Sequence, residues 1–200
     1  NPWPDAWIDQ MVEMYNVTHV ESETDLPWLN LLKQEVKSQL KAMETEAQQV
    51  LELTREPDGP YAYAETAESD LELIQQAKGA IAYSWSEMQS FMADQKFATL
   101  SRKKMDCDAD KKEQAKKIRD RYKKRWNEVR DEWFSRSLES YLKDMQDLHP
   151  VMEQLAVIVK DFKERYEQLK KEKAIVDFSD LEHYCLHILL DETATPVDLV

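Results

Sequence analysis

Two hundred residues carry 27 Lys and Arg against 40 Asp and Glu, a formal charge of −13, with 42% hydrophobic and 34% charged side chains. Only Gly59 and Gly79 are glycines, too few for the turns of a β or α/β chain. Two cysteines, Cys107 and Cys185, exclude a disulfide scaffold, and no run of about 18 apolar residues offers a membrane span. Abundant Glu, Lys, Gln, Leu, Met and Ala favour helix. The predicted class is all-α, with long antiparallel helices, a protruding helical arm and no sheet of consequence.

In chain order, Pro2 and Pro4 lead into a helix from Asp5 to about Tyr15, followed by a polar connection over Asn16 to Asp25. From Pro27 to Leu53, Leu29, Leu32, Val36, Leu40, Met43, Ala47, Val50 and Leu51 recur at three- and four-residue steps, which predicts one long helix. Glu56-Pro57-Asp58-Gly59-Pro60 is a turn. Tyr61 to Met92 is helical with a break expected near Gly79, and Asp94 to Asp108 is irregular. An unbroken pattern from Asp110 to His149 passes through Ala115, Ile118, Tyr122, Trp126, Val129 and Trp133, predicting a helix about 60 Å long. Pro150 is expected to end it. The next helix, Val151 to Lys173, turns Leu155, Ile158, Phe162, Tyr166 and Leu169 inward. After the apolar run Ala174 to Phe178, Ser179 caps a last helix, with Glu182 completing a capping box.

Three constellations are candidates for chemistry. Residues 102–125 hold twelve Lys and Arg and five acids, a net of +7, so the other 176 residues sum to −20. Local positive potential is what phosphate binding requires, and non-specific duplex contact is expected from Lys111, Lys112, Lys116, Lys117, Arg119, Lys123 and Lys124. The competing reading is a solvated helix face laced with intrahelical ion pairs. His183 and His187 lie one helical turn apart, but Cys185 points elsewhere and no further ligands keep a metal spacing, so ordinary helix histidines are expected and no metal site. Ile188-Leu189-Leu190-Asp191-Glu192 mimics a Walker-B strand, yet no GxxxxGK[ST] phosphate loop exists to accompany it. No catalytic triad or nucleophile elbow is present, and the chain by itself is expected to hydrolyse nothing.

The segment Lys173-Ala174-Ile175-Val176-Asp177-Phe178-Ser179-Asp180-Leu181-Glu182-His183 resembles a stretch of UvrD/Rep-like superfamily-one helicases, most closely the AddA (RexA) subunits of AddAB helicase–nucleases. The opening Asn1-Pro2-Trp3-Pro4-Asp5-Ala6-Trp7-Ile8 is similar to the Asn-Pro-x-x-x-Trp-Leu run of the same proteins. The resemblance implies that residues 1–175 form a helical, 1B-type insertion of the first motor domain. Residues 176–200 would then be a junction helix returning to the ATP-binding core, with Asp177, Phe178, Ser179, Asp180 and Leu181 as the family's junction motif. It implies ATP and Mg for the parent protein and none in this segment. It also implies two partners, double-stranded DNA and an AddB-type subunit, with a bacterial cytoplasmic location and a role in double-strand-break repair. Lacking an initiator methionine, the sequence is expected to be a piece of a longer chain. A stand-alone helical scaffold for protein–protein contact is the alternative, and a metal-dependent helical enzyme resting on His183 and His187 is a third reading.

Overall fold

The computed structural model of the chain describes residues 4–190. Seven α-helices lie among them, joined by turns and by two short 3-10 segments, with no sheet among the described residues. They are α1 (Pro4–Glu13), α2 (Pro27–Arg55), α3 (Ala64–Tyr83), α4 (Trp85–Asp94), α5 (Ala109–Trp133), α6 (Leu138–Glu172) and α7 (Phe178–Leu189). Two compact units divide the chain, one from Val20 to Tyr141 and the other from Asn1–His19 with Leu142–Val200.

In the first unit, α2 packs its periodic face between α3 and α5. Leu29, Val36, Leu40, Met43, Ala47, Val50 and Leu51 are buried there. Ala67, Ile74, Ala77 and Ile81 of α3 meet them, as do Ala115, Ile118, Tyr122, Trp126 and Val129 of α5. Each large side chain fully removed from water contributes about 1.5–3 kcal/mol, so this shared face holds the unit together.

The expected break near Gly79 falls instead at Ser84. Ser84 adopts an extended backbone, and its hydroxyl accepts the Glu87 N–H at 2.9 Å to cap α4. The Glu23 carboxylate accepts the Trp85 N–H at 2.9 and 3.0 Å, which satisfies a further orphan donor at the positive end of that helix. A glycine alone does not stop a helix when a better cap follows five residues later. Gly79 stays inside α3 with nothing within 4 Å of a notional Cβ, whereas at Gly59 that atom would meet the Leu53 carbonyl oxygen at 2.1 Å and the Glu56 oxygen at 2.9 Å. Gly79→Ala is therefore expected to stabilise by about 0.5–1 kcal/mol. Gly59→Ala is expected to destabilise by about 1–3 kcal/mol through overpacking. Thermal melts of the two variants, moving in opposite directions, check the pair.

The single helix expected from Asp110 to His149 is two. α5 ends at Trp133, and Phe134 leaves the helix to bury its ring against Trp85, with centroids 4.5 Å apart. Ser137 then accepts the Ser140 N–H at 3.2 Å and starts α6. Pro150, expected to end a helix, lies inside α6. Proline inside a helix removes one backbone hydrogen bond and costs about 3 kcal/mol, which the long helical stretches on either side of Pro150 absorb.

In the second unit, α1 lies on α6 through ion pairs of Lys163 with Asp5 at 2.9 Å and of Lys160 with Asp9, around the buried Ile8 and Ala156. The α6–α7 turn places Ala174 in the left-handed region at φ 50°. The N–H groups of Ala174 and Ile175 donate to the carbonyls of Lys171 and Lys170, both at 3.1 Å, closing the end of α6. The inward face expected on α6 does not face inward. Leu155, Ile158, Phe162, Tyr166 and Leu169 are all exposed. Periodicity correctly marks an apolar stripe, but nothing among the described residues of this unit covers it.

Candidate nucleic-acid face and junction

α5 owes its position to a buried polar cluster. Asp70 of α3 accepts from Arg119 at 2.6 and 3.2 Å and from the Tyr122 hydroxyl at 2.6 Å. Arg119 and Asp70 are 3% and 1% exposed. Arg119 also donates to the Ala98 carbonyl, and Phe97 packs on Tyr122 and Trp126, so the segment between α4 and α5 is fastened to the same cluster. Burial first, then the Asp70 charge, push the Tyr122 phenol well above its ordinary value and keep it a donor. Arg119, expected among the phosphate-contacting cations, is thus an interior group and is removed from that set. Its burial follows from its place beside Ile118 on the face that carries Ala115, Tyr122 and Trp126.

The other expected cations divide by face. Lys111 reaches back to the α2 end, donating to the Pro57 carbonyl at 2.8 Å and pairing with Glu56 at 3.0 Å. Lys117 and Lys124 are exposed and pair within the helix with Glu113 at 3.8 Å and Glu128 at 3.6 Å. Arg121 and Arg125, also within the basic run, hold Glu46 of α2 at 2.7 and 3.4 Å. Lys112, Lys116 and Lys123 are half-buried along their stems and make no ion pair among the described residues.

At roughly 100° per residue, Lys112, Lys116 and Lys123 fall within about 40° of one another on the helical wheel. Arg130, one step further at i+7 from Lys123, falls on the same line. Of the acids of α5, Asp120 comes nearest, about 40° from Lys116, and Asp110, Glu113, Glu128, Asp131 and Glu132 lie about 60° or more from every member of the line. The four cations span 18 residues, about 27 Å of helix. Arg130 donates to the neighbouring Asp131 at 2.8 Å but stays on the basic line. It escaped the sequence reading because the basic window closed at Arg125. The i, i+4, i+11, i+18 spacing was the signal that could have found it.

The junction motif is built differently from expectation. Asp177, not Ser179, caps α7. Its carboxylate accepts the Asp180 N–H at 2.9 Å, and the Asp180 carboxylate accepts the Asp177 N–H at 2.8 Å. Asp at the cap with Asp three residues on forms the box two residues earlier than Ser179 with Glu182. Lys170 of α6 bridges both carboxylates, and the Tyr166 hydroxyl donates to Asp177 at 3.3 Å. Ser179 and Leu181 are exposed, and Phe178 is 87% exposed.

The Asp180 backbone N–H, then Lys170, hold the Asp177 carboxyl below its ordinary value of 3.8. Lys170 first, then the Asp177 N–H, do the same for Asp180. The hydrogen bond to Asp180 leads the causes that raise Lys170 above 10.5. Depressed carboxylates contribute stability that is present above 3.8 and lost as pH falls through their lowered values. The raised lysine contributes below 10.5 and its share is lost as pH rises through its raised value. Amide exchange at Asp177 and Asp180 is therefore expected to accelerate, beyond its intrinsic pH dependence, when the solution is acidified below 3.8. Asp180→Asn should flatten that acid step.

His183 and His187 both line the cleft between α6 and α7, and no group of three or more His, Cys, Asp or Glu among the described residues is placed to hold a metal. Asp191 and Glu192 of the Walker-B mimic lie outside the described residues.

No family model matches the chain. It is 45% identical over 200 residues to the AddA subunit of the ATP-dependent helicase/nuclease of Oceanobacillus iheyensis, an alignment covering 100% of this chain and 16% of that protein. The corresponding AddA proteins of Bacillus cereus (strain AH187) and Bacillus thuringiensis (strain Al Hakam) are each 39% identical over 194 residues, 96% of this chain and 16% of theirs. The chain belongs to the AddA family of helicase/nuclease subunits, as one region of it. It spans 16% of the length of the curated relatives it matches. The alignment with the Oceanobacillus iheyensis protein spans the segment from α1 to α7.

Proposed function

We propose that this chain is an accessory helical region of an ATP-dependent DNA helicase/nuclease, and that α5 guides duplex DNA by its phosphates. The observation that carries the reading is the alignment of charge on α5, where Lys112, Lys116, Lys123 and Arg130 share one side and the three lysines make no ion pair among the described residues. A solvated salt-bridged face would mix the signs, as Lys117 with Glu113 and Lys124 with Glu128 do. A line of cations about 27 Å long can follow several phosphates, and such contacts position a protein without reading sequence.

On this reading the parent protein works at double-strand ends in recombinational repair in the bacterial cytoplasm, beside an AddB-type partner. ATP and Mg belong to parts of that protein outside these residues. The 1B-type insertion over residues 1–175 and the junction helix from 176 are the assignment that fits it. Charge reversal of Lys112, Lys116 and Lys123 in the full-length protein tests it. Duplex binding should fall while ATP binding without DNA is unchanged. Loss of the AddB-type partner with duplex binding intact would instead make α5 a docking arm.

A further inference from the structure

The segment between α4 and α5, residues 95–108, is neither helix nor strand, yet both of its ends are fastened to α5, and all of it lies within the first unit. Phe97 packs its ring on Tyr122 and Trp126, with centroids 5.6 and 5.2 Å apart, and Arg119 holds the Ala98 carbonyl. At the other end the Asp108 carboxylate caps α5, accepting the Asp110 and Lys111 N–H groups at 2.8 and 2.9 Å. The Asp108 N–H donates to the Asp58 carbonyl at 2.7 Å. The segment therefore runs back along α5, from the level of Trp126 to the helix N-terminus. On the helical wheel Arg119 falls about 20° from Lys112 and about 40° from Lys123, so the segment sets out beside the basic line and passes the same turns. Between its ties it has slack. A path from Ala98 to Asp108 can reach about 33 Å when extended, whereas Arg119 and Ala109 are about 15 Å apart along the helix. The surplus lets the middle stand off α5, and that middle is Arg102-Lys103-Lys104. Ser101 turns the chain there, its hydroxyl accepting the Lys103 N–H at 3.3 Å. Leu100, Ser101, Met105 and Cys107 are half-buried, while the three cations are exposed and make no ion pair among the described residues.

We infer that Arg102, Lys103 and Lys104 are a second phosphate-contacting element, a strap beside the basic line of α5 that grips the same duplex backbone. Three consecutive cations at a turn offer charge and hydrogen-bond donors, which is all that a phosphodiester contact needs. They offer no aromatic or aliphatic anchor of the kind that carries a protein interface. The segment's two acids do not cancel them. Asp108 is engaged as the α5 cap, and Asp106 lies beyond Met105, toward the start of the helix. Because the strap is tied at both ends, less of its freedom is lost on binding than a loose basic loop would lose. The buried pair of Asp70 with Arg119 thereby sets where the strap begins. The inference rests on the duplex reading of α5 and extends it from a single line to a grip with two sides.

Neutralising the strap in the full-length protein, as Arg102→Ser with Lys103→Ser and Lys104→Ser, tests it with a blunt-ended duplex as the probe. The slope of log affinity against log salt should fall by about 2, and duplex affinity at about 0.1 M salt by about tenfold or more. A control removes equal charge elsewhere in the unit, as Lys37→Ser with Lys41→Ser and Lys117→Ser, all exposed positions, and should leave the slope nearly unchanged. Acylation footprinting is the second readout. Bound duplex should slow labelling of Lys103 and Lys104 several-fold while Lys37 and Lys41 label as before. A wild-type slope in the strap variant, or labelling of Lys103 and Lys104 that duplex does not change, would overturn the inference. So would loss of the AddB-type partner with duplex binding intact, since the strap would then face protein. The α5 reading is scored on the Lys112, Lys116 and Lys123 variant. Loss of binding there with a wild-type strap variant sinks this inference and spares that reading, whereas the reverse result sinks the reading and leaves the strap as the contact.

Discussion

Replacing Asp70 with alanine is expected to cost about 3–5 kcal/mol, the largest single-site effect in the chain. Among the described residues the carboxylate is the sole balance for a guanidinium that is 3% exposed, and it accepts the Tyr122 hydroxyl at 2.6 Å as well. Without it, Arg119 is an uncompensated charge in a dry interface and the fastening of the Ala98 carbonyl is weakened. Domains of this size hold about 5–15 kcal/mol in all, so the loss removes a large share. The conclusive comparison is with a double variant, Asp70→Leu with Arg119→Met, which removes both charges. That protein should recover much of the loss, because a matched apolar pair avoids the desolvation that the ion pair must offset. Urea midpoints measured by tryptophan emission report on it directly, since Trp126 lies one turn from Tyr122. A shift under about 1 kcal/mol for Asp70→Ala would mean that the pair is solvated and that α5 is held by packing alone.

The second large effect concerns the basic line. Each phosphate contact adds about 0.9 to the slope of log affinity against log salt, so reversing Lys112, Lys116 and Lys123 should lower that slope by about 3. At about 0.1 M salt, that corresponds to a loss of roughly two orders of magnitude or more in duplex affinity. The control is the other side of the same helix. Lys117→Glu with Lys124→Glu alters the net charge by −4 but not the basic line, and should weaken binding far less. Weakening in proportion to the charge change, −6 for the line against −4 for the control, would show that only overall charge matters, and the basic line would lose its meaning. Arg130→Ala, at the end of the line, should reduce the slope by about one further contact.

Much of the first unit was legible because its helices cover each other. Val36, Leu40, Met43, Ala47 and Val50 recur at helical steps and are buried where the pattern places them, as are Ala115, Ile118, Tyr122, Trp126 and Val129. What the pattern hides is the identity of the covering surface. The stripe from Leu155 to Leu169 has the same periodicity and is open, since periodicity records that a face is apolar and not where its partner resides. Arg119 was misassigned for the converse reason. A run of cations read as one surface conceals the member that sits at core spacing and needs an acid from another helix. Nothing local to α5 names Asp70 as that acid. Helix ends were decided by cap chemistry at Ser84, Ser137 and Asp177, where short polar side chains outcompete a glycine or a proline as the point of change.

Ala174 carries a consequence for how this region can drift in sequence. Its backbone lies at φ 50°, where an L side chain costs about 1–2 kcal/mol and a β-branched one considerably more. Glycine or asparagine would sit there with less strain, while valine, isoleucine and threonine are shut out. The side chain is exposed and forms no part of the brace between Lys170 and the two aspartates. A surface position of that kind would ordinarily accept almost anything. Here the allowed alphabet is short, and it is the backbone that edits it.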